Sequence, residues 1–447
     1  MTIRNLAVLA ALFVTLASGA WAKSFIRDAE IEATLQRIAR PVLAAAGLGP
    51  NTVRFLIVND RALNAYVPAQ NTIVVHSGLL SRLSTVEMIQ SVIAHELGHL
   101  TAGHLITRRQ GARNAGTTAA IGVAIAAIAA SQGADNGALA IALGGVETAK
   151  RSFLSHTRAE EAAADQASVR YMALAGIDPH AALDTLELVR GQEVLSDHRR
   201  DAYARTHPLT SQRISLLRDV VARTRVADIK ADPGIAYWHA RMAAKFDGFT
   251  QNPSAMLRKI SKSDTSEIAT YRRAIANHRL SNMKEAHRLL DSLIAARPKD
   301  PFYRELKAQF FLEAGNAAQA VQHYRAALSL APRAALIKTG LARALLQFKG
   351  NSETREALKL LTSAAQADKA NPLVLQLLAL AHARTGDKGR ASLATAERYM
   401  LIGRISDAAI NAKRAVALLP EGTPGWRNAT DILRLAERAE KAKEKKR

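Results

Sequence analysis

His95-Glu96-Leu97-Gly98-His99 lies inside the apolar-periodic run from Val86 to His104. On an α-helix residues i and i+4 share a face, so His95 and His99 can aim two imidazole nitrogens at one point, with Glu96 beside them. A hydrolytic zinc site needs three protein ligands, an open position for water, and a carboxylate that takes the proton of the attacking water. Here His95 and His99 supply two of the ligands and Glu96 the general base. The flanking sequence places the motif on a helix: alternation in Thr72-Ile73-Val74-Val75-His76 predicts a strand, Gly78 a turn, and Thr85-Val86-Glu87 a capped helix start.

A third ligand has to come from elsewhere, and Arg158-Ala159-Glu160-Glu161-Ala162-Ala163-Ala164-Asp165 is the richest candidate, in a second helical run. Glu161 and Asp165 are four apart and share a face. One can bind metal while the other, a turn on, hydrogen-bonds a ligand histidine; the residues alone leave the choice open. Arg158, three before Glu161, is the expected ion partner of that acidic face.

HELGH followed by an RxxExxxD helix resembles the HExxH zinc metallopeptidases of the HtpX and CAAX-protease clan, in particular their BepA-like periplasmic members. The resemblance spans Ser24 to about Arg225 and runs more loosely beyond. It implies a mainly α, α+β zincin-like domain with a small sheet, and one Zn2+ per chain on His95, His99 and Glu161. Glu160 is then a bystander, and Asp165 and Arg158 support the ligands from outside. The family also carries a histidine in a His-Pro segment that runs into a helix, matched here by His207-Pro208 ahead of Arg213-Ile214. The resemblance brings His207 to the zinc or to the transition-state oxyanion, so Glu96 and His207 are the expected catalytic residues. Its implied role is quality control of outer-membrane proteins in the periplasm.

Met1 to Ala22 has a basic start at Arg4, an apolar run Leu6 to Leu16 and Ala20-Trp21-Ala22 as a small-x-small cleavage site, which reads as a secretory signal peptide. The chain has no cysteine, so neither disulfides nor a lipid-bearing thiol are available in an oxidising compartment. Net charge is +22 with 5% aromatics. Such charge favours anionic partners; without any nucleic-acid motif, a membrane surface is the better expectation and nucleic acid is excluded as a partner. The Ala/Gly-rich stretch 112–146 reads as a helix hairpin packed on the domain and able to touch a membrane interface. Gly191 to His207 lacks periodicity and reads as a loop beside the site.

Beyond Ala231 the signal is repetition. Pro298 and Pro332 stand one tetratricopeptide period apart. Taking Pro332 as a repeat's closing proline puts Ala308, Ala320, Tyr324 and Ala327 where that motif wants small or aromatic residues. Ala274, Ala286 and Pro298 fit the repeat before; Ala396, Tyr399, Ala408, Ala415 and Pro420 fit a later one. The chain thus divides into a signal peptide (1–22), a zinc metallopeptidase domain (23–230), a linker (231–264), an α-solenoid of tetratricopeptide repeats (265–435) and a basic tail (436–447). The expected activity is zinc endopeptidase action on unfolded or misassembled proteins, with the repeats docking clients or outer-membrane assembly machinery. The rival is a chaperone or adaptor whose zinc site is structural or repressed; Glu96 favours the enzyme, because a structural site has no use for a base.

Overall fold

The computed structural model describes residues 25–69, 71–104, 158–193, 207, 211–228, 232–368 and 371–444. The signal peptide, the hairpin 112–146 and most of the loop 191–207 lie outside them. Among the described residues, no helix is long and apolar enough to cross a membrane.

The first half is a small mixed sheet backed by helices. Strands β1 (Phe25–Ile26), β2 (Arg54–Val58), β3 (Ala65–Ala69) and β4 (Thr72–His76) stand in the order β1-β2-β4-β3. β2 and β4 run parallel with Arg54 opposite Thr72, and β3 is an antiparallel edge strand. Helix α1 (Ala29–Ala45) follows β1 and is capped by Asp28, whose side chain accepts from the Glu30 and Ile31 amides. Its apolar face, Leu35, Ile38 and Val42, packs with Phe55, Ile57, Ile73 and Val75 of the sheet and with Ile89, Ile93 and Leu97 of helix α3 (Val86–Thr101). Burial of each such side chain contributes about 1.5–3 kcal/mol. Thr85 caps α3 by accepting from the Met88 amide, as its sequence predicts. Gly78 departs from expectation: it sits in the first turn of α2 (Ser77–Arg82), not in a free turn, and a Cβ there would lie 2.0 Å from the Arg61 carbonyl oxygen. Helices α4 (Arg158–Leu174), α5 (His180–Glu193) and α6 (Ser211–Arg223) complete this half.

The stretch 231–264, expected to be a linker, carries α7 (Gly234–Thr250) and α8 (Pro253–Lys259). Helix α7 is buried on two sides. Met242 and Phe246 join the core of the first half, while Ala244 joins the core of the first repeats. The sequence conceals this because α7 also buries two cations, Arg241 and Lys245, both 0% exposed. A helix with charges on its inward face has no amphipathic stripe for a periodicity argument to detect.

The second half is the predicted solenoid: helices α9 (Glu267–Arg279), α10 (Met283–Ala296), α11 (Pro301–Glu313), α12 (Ala317–Leu330), α13 (Ala335–Leu345), α14 (Asn351–Ala367), α15 (Pro372–Arg384), α16 (Lys388–Leu401), α17 (Ile405–Leu418) and α18 (Pro424–Glu444). Each packs against its successor. Ala308, Ala320 and Ala327 are fully buried, which is why the repeat wants small residues there: helices approach closely where side chains are short. Gly340 makes the same point, since a Cβ on it would meet the Tyr324 ring at 2.5 Å. The expected basic tail is helical through Glu444 as part of α18.

The halves are bolted together by buried charge. Arg241 contacts Glu30 of α1 at 2.5 Å and Asp300 at the start of α11, and lies 3.7 Å over the Tyr303 ring. Lys245 reaches Asp28 at 2.8 Å and Glu30 and Glu305 at 3.4 Å each. Tyr271 donates to Glu30 at 2.6 Å. A second link joins Asp368, after α14, to Arg27 at 2.5 Å and to Arg54 of β2.

Candidate metal centre

Helix α3 presents His95 and His99 one turn apart, both buried, as i and i+4 spacing requires. Helix α4 crosses α3 and delivers Glu161, 0% exposed, to the same point. The crossing is close because of Gly98: a Cβ there would stand 2.9 Å from both the Cα and the carbonyl oxygen of Ala164, and 3.2 Å from the Ala167 Cβ. Gly98→Ala is therefore expected to force the helices apart, costing about 1–3 kcal/mol as overpacking does and loosening the distance between Glu161 and the histidines. A lowered urea midpoint together with weaker metal retention checks this, and an unchanged midpoint would show that the contact yields freely.

His95 Nε2 is 3.1 Å from His99 Nε2 and 3.4 Å from Glu161 Oε2, and His99 Nε2 is 3.3 Å from Glu161 Oε1. Two ligand atoms each about 2.0–2.1 Å from a tetrahedral ion stand about 3.3–3.4 Å apart, and the two imidazole nitrogens and the two oxygens of the Glu161 carboxylate are spaced close to that. His207, also fully buried, lies against them: its Nδ1 is 3.3 Å from His95 Nε2 and 2.9 Å from Glu161 Oε1. Ligand atoms of His95, His99, Glu161 and His207 all lie within 4.8 Å of one another. The other nitrogen of His207 contacts the Ala65 carbonyl of β3 at 3.2 Å and lies 3.5 Å from Glu96 Oε1. Glu96 is itself 0% exposed.

The surrounding contacts hold this set in place. His95 Nδ1 pairs with Asp165 at 3.0 Å. Arg213 of α6 grips Asp165 through two nitrogens, at 2.6 and 2.8 Å, and reaches Glu161 at 2.6 Å. His99 Nδ1 lies 2.9 Å from His104 Nδ1. Burial disfavours a charged His95, but its hydrogen bonds to Asp165 and Glu161 prevail and push it up to about 9. Burial lowers His99 well below the usual imidazole range, and the neighbouring His95 and His207 add to that against the pull of Glu161. Burial works against an ionised Glu161, yet His207, His95 and His99 hold it well below the ordinary carboxylate range. Asp165 is likewise lowered against burial by Arg213 and His95. When ionised, Glu96, Glu161 and Asp165 face the single guanidinium of Arg213. With the proton that His95 holds, the buried cluster still has an acidic excess, and a divalent cation that displaces this proton neutralises it. Nitrogen and oxygen donors in this number and spacing suit zinc.

The structure thus brings together His95, Glu96, His99, Glu161, Asp165 and His207. Arg158 is exposed at the start of α4; Arg213 takes the place expected of it. Glu160 is half-buried on the adjoining face of α4. Two contributors escaped the sequence reading. Arg213 stood out only as the start of a helix after His207-Pro208, and His104 is five residues after His99, a spacing that no helix face explains.

Residues 26–221 match Peptidase family M48. The chain is 26% identical over 357 residues to the beta-barrel assembly-enhancing protease of Escherichia coli K12, covering 79% of this chain and 72% of that one. The protein of the same name from Yersinia pestis is 26% identical over 370 residues, covering 80% and 74%. Metalloprotease LoiP of Escherichia coli K12 is 29% identical over 167 residues, covering 37% of this chain and 62% of that one. Among solved structures, MamA aligns over 39% of this chain and 97% of its own with 16% identity and a TM-score of 0.29, and yeast Tom70 over 82% and 88% with 12% identity and a TM-score of 0.31. Four ligand atoms gathered beside a buried glutamate on a HExxH helix, within the matched span, make the conclusion direct: the chain carries a Peptidase family M48 domain over residues 26–221 and is a metalloprotease.

Proposed function

We propose that this protein is a periplasmic zinc endopeptidase that degrades misfolded or stalled outer-membrane proteins, with its repeats docking clients or assembly machinery. The observation that carries the reading is the placement of His95, His99, Glu161 and His207 within 4.8 Å, next to Glu96. Bound by His95, His99 and Glu161, zinc supplies Lewis acidity, polarising the scissile carbonyl and lowering the pKa of water. Glu96 takes the proton of the attacking water and returns it to the leaving amine. Asp165 and Arg213 hold His95 and Glu161 in their ligating orientation. We infer likewise a signal peptide at 1–22, repeats from 265 and placement in the periplasm, on the Met1–Ala22 pattern and the likeness to beta-barrel assembly-enhancing proteases.

Among the described residues β3 is one edge of the sheet, and Ala65 faces the cluster through its carbonyl. An extended substrate peptide added to this edge would be held by backbone hydrogen bonds, which select for unfolded chain over any particular side chain. His207 opposes that twice: Nδ1 lies against the ligand set, 3.3 Å from His95 Nε2 and 2.9 Å from Glu161 Oε1, and Nε2 engages the acceptor an added strand would use. This favours a resting form held shut by His207, the enzymatic counterpart of the repressed chaperone or adaptor reading.

The test is cleavage of an unfolded outer-membrane protein by the purified mature chain, by Glu96→Gln at equal zinc loading, and by His207→Ala. Cleavage is expected to vanish in the first variant and to accelerate in the second. If neither the native chain nor His207→Ala cuts, the peptidase reading for such substrates fails and the chaperone reading stands.

A further inference from the structure

His95 and His99 are held from outside by unlike partners. Behind His95 stands Asp165, an anion clamped by Arg213. Behind His99 stands a second imidazole, His104, with Nδ1 to Nδ1 at 2.9 Å and ring centroids 5.2 Å apart. On a continuous helix a residue five positions on would point about 140° away from His99. Helix α3 instead ends at Thr101, and Gly103 takes φ +70°, the left-handed conformation that glycine adopts freely at helix ends. The chain reverses there, and His104 is carried back over the last turn.

We propose that His104 is a positioning residue for the metal ligand His99, fixing its tautomer and ring orientation; this rests on the metal reading above. His99 Nε2 faces Glu161 and His95, so a neutral His99 that offers its Nε2 lone pair to a cation carries its proton on Nδ1. That N–H donates to His104 Nδ1, which must accept, so His104 is neutral with its own proton on Nε2. A neutral ring on a helix end provides direction without charge.

Zinc affinity by chelator competition and the visible absorption of the cobalt(II)-substituted protein are compared for the full mature chain, His104→Phe, His104→Asn and Glu161→Gln. Phe keeps the ring volume without a nitrogen, whereas Asn places Oδ1, an acceptor, at a reach similar to Nδ1. His104→Phe is expected to weaken zinc binding by about 10–100-fold, the range for loss of an outer partner of a ligand, and to alter the cobalt spectrum, with the unfolding midpoint of the metal-free protein unchanged. His104→Asn should recover most of the affinity and the native spectrum. Zinc binding by His104→Phe equal to the native chain, or by His104→Asn as weak as His104→Phe, overturns the proposal. If Glu161→Gln also binds like the native chain, it is the ligand set of the metal reading, and not the role of His104 alone, that falls.

Discussion

Glu161→Gln is expected to leave the purified protein without zinc after dialysis, under conditions in which Glu160→Gln keeps its ion. Glu161 is 0% exposed and held ionised against burial by His207, His95 and His99. The glutamine preserves shape but removes the charge, so only the imidazoles of His95, His99 and His207 remain to hold the cation. The loss should exceed the ~10–100-fold that removal of an outer partner costs. Glu160 lies half-buried one residue earlier on the same helix and is outside the cluster of candidate ligands. Metal analysis of the two variants decides the matter: equal zinc contents would remove Glu161 from the ligand set and turn attention to Asp165.

Arg241→Ala is expected to cost about 3–5 kcal/mol, the toll of stripping one partner from a buried ion pair. The substitution leaves Glu30 and Asp300 facing one another's neighbourhood without their shared cation, and removes the guanidinium from the Tyr303 ring. Burial pushes the Glu30 carboxyl up even with Arg241 and Lys245 pulling it down; without Arg241 it gains a stronger preference for the protonated form. Because these contacts join α1 of the peptidase half to α7 and α11, urea unfolding followed by circular dichroism should lose midpoint and separate into two transitions. A single transition displaced by less than about 1 kcal/mol would show that the apolar contacts of α7, Met242 and Phe246 on one side and Ala244 on the other, hold the halves together by themselves.

The features legible in advance were those encoded within a turn or a repeat. His95 and His99 at i and i+4, Thr85 as cap, the strand at Thr72–His76 and the small residues Ala308, Ala320 and Ala327 depend on neighbours close in sequence, where periodicity is set by the geometry of the helix or strand itself. Of the site, the HExxH helix and the Glu161/Asp165 face came from spacing, whereas His207 and the choice of Glu161 came from family resemblance. The roles of Arg213 and His104 could not be read, because one acts across α4 and α6 and the other through a chain reversal at Gly103 that follows the helix.

Local chemistry therefore specified a metal-binding helix, an acidic helix able to complete it and a solenoid of small-residue helix pairs. Packing settled the rest. The approach of Gly98 to Ala164 sets Glu161 against the two histidines, and Arg213 commits Asp165 to His95. The supposed linker became α7, the shared wall of both halves, because Arg241 and Lys245 find their anions on α1 and α11 only when the chain is folded. A charged residue in sequence reads as exposed; its burial is decided by partners that lie tens to hundreds of residues away, and those partners meet only in three dimensions.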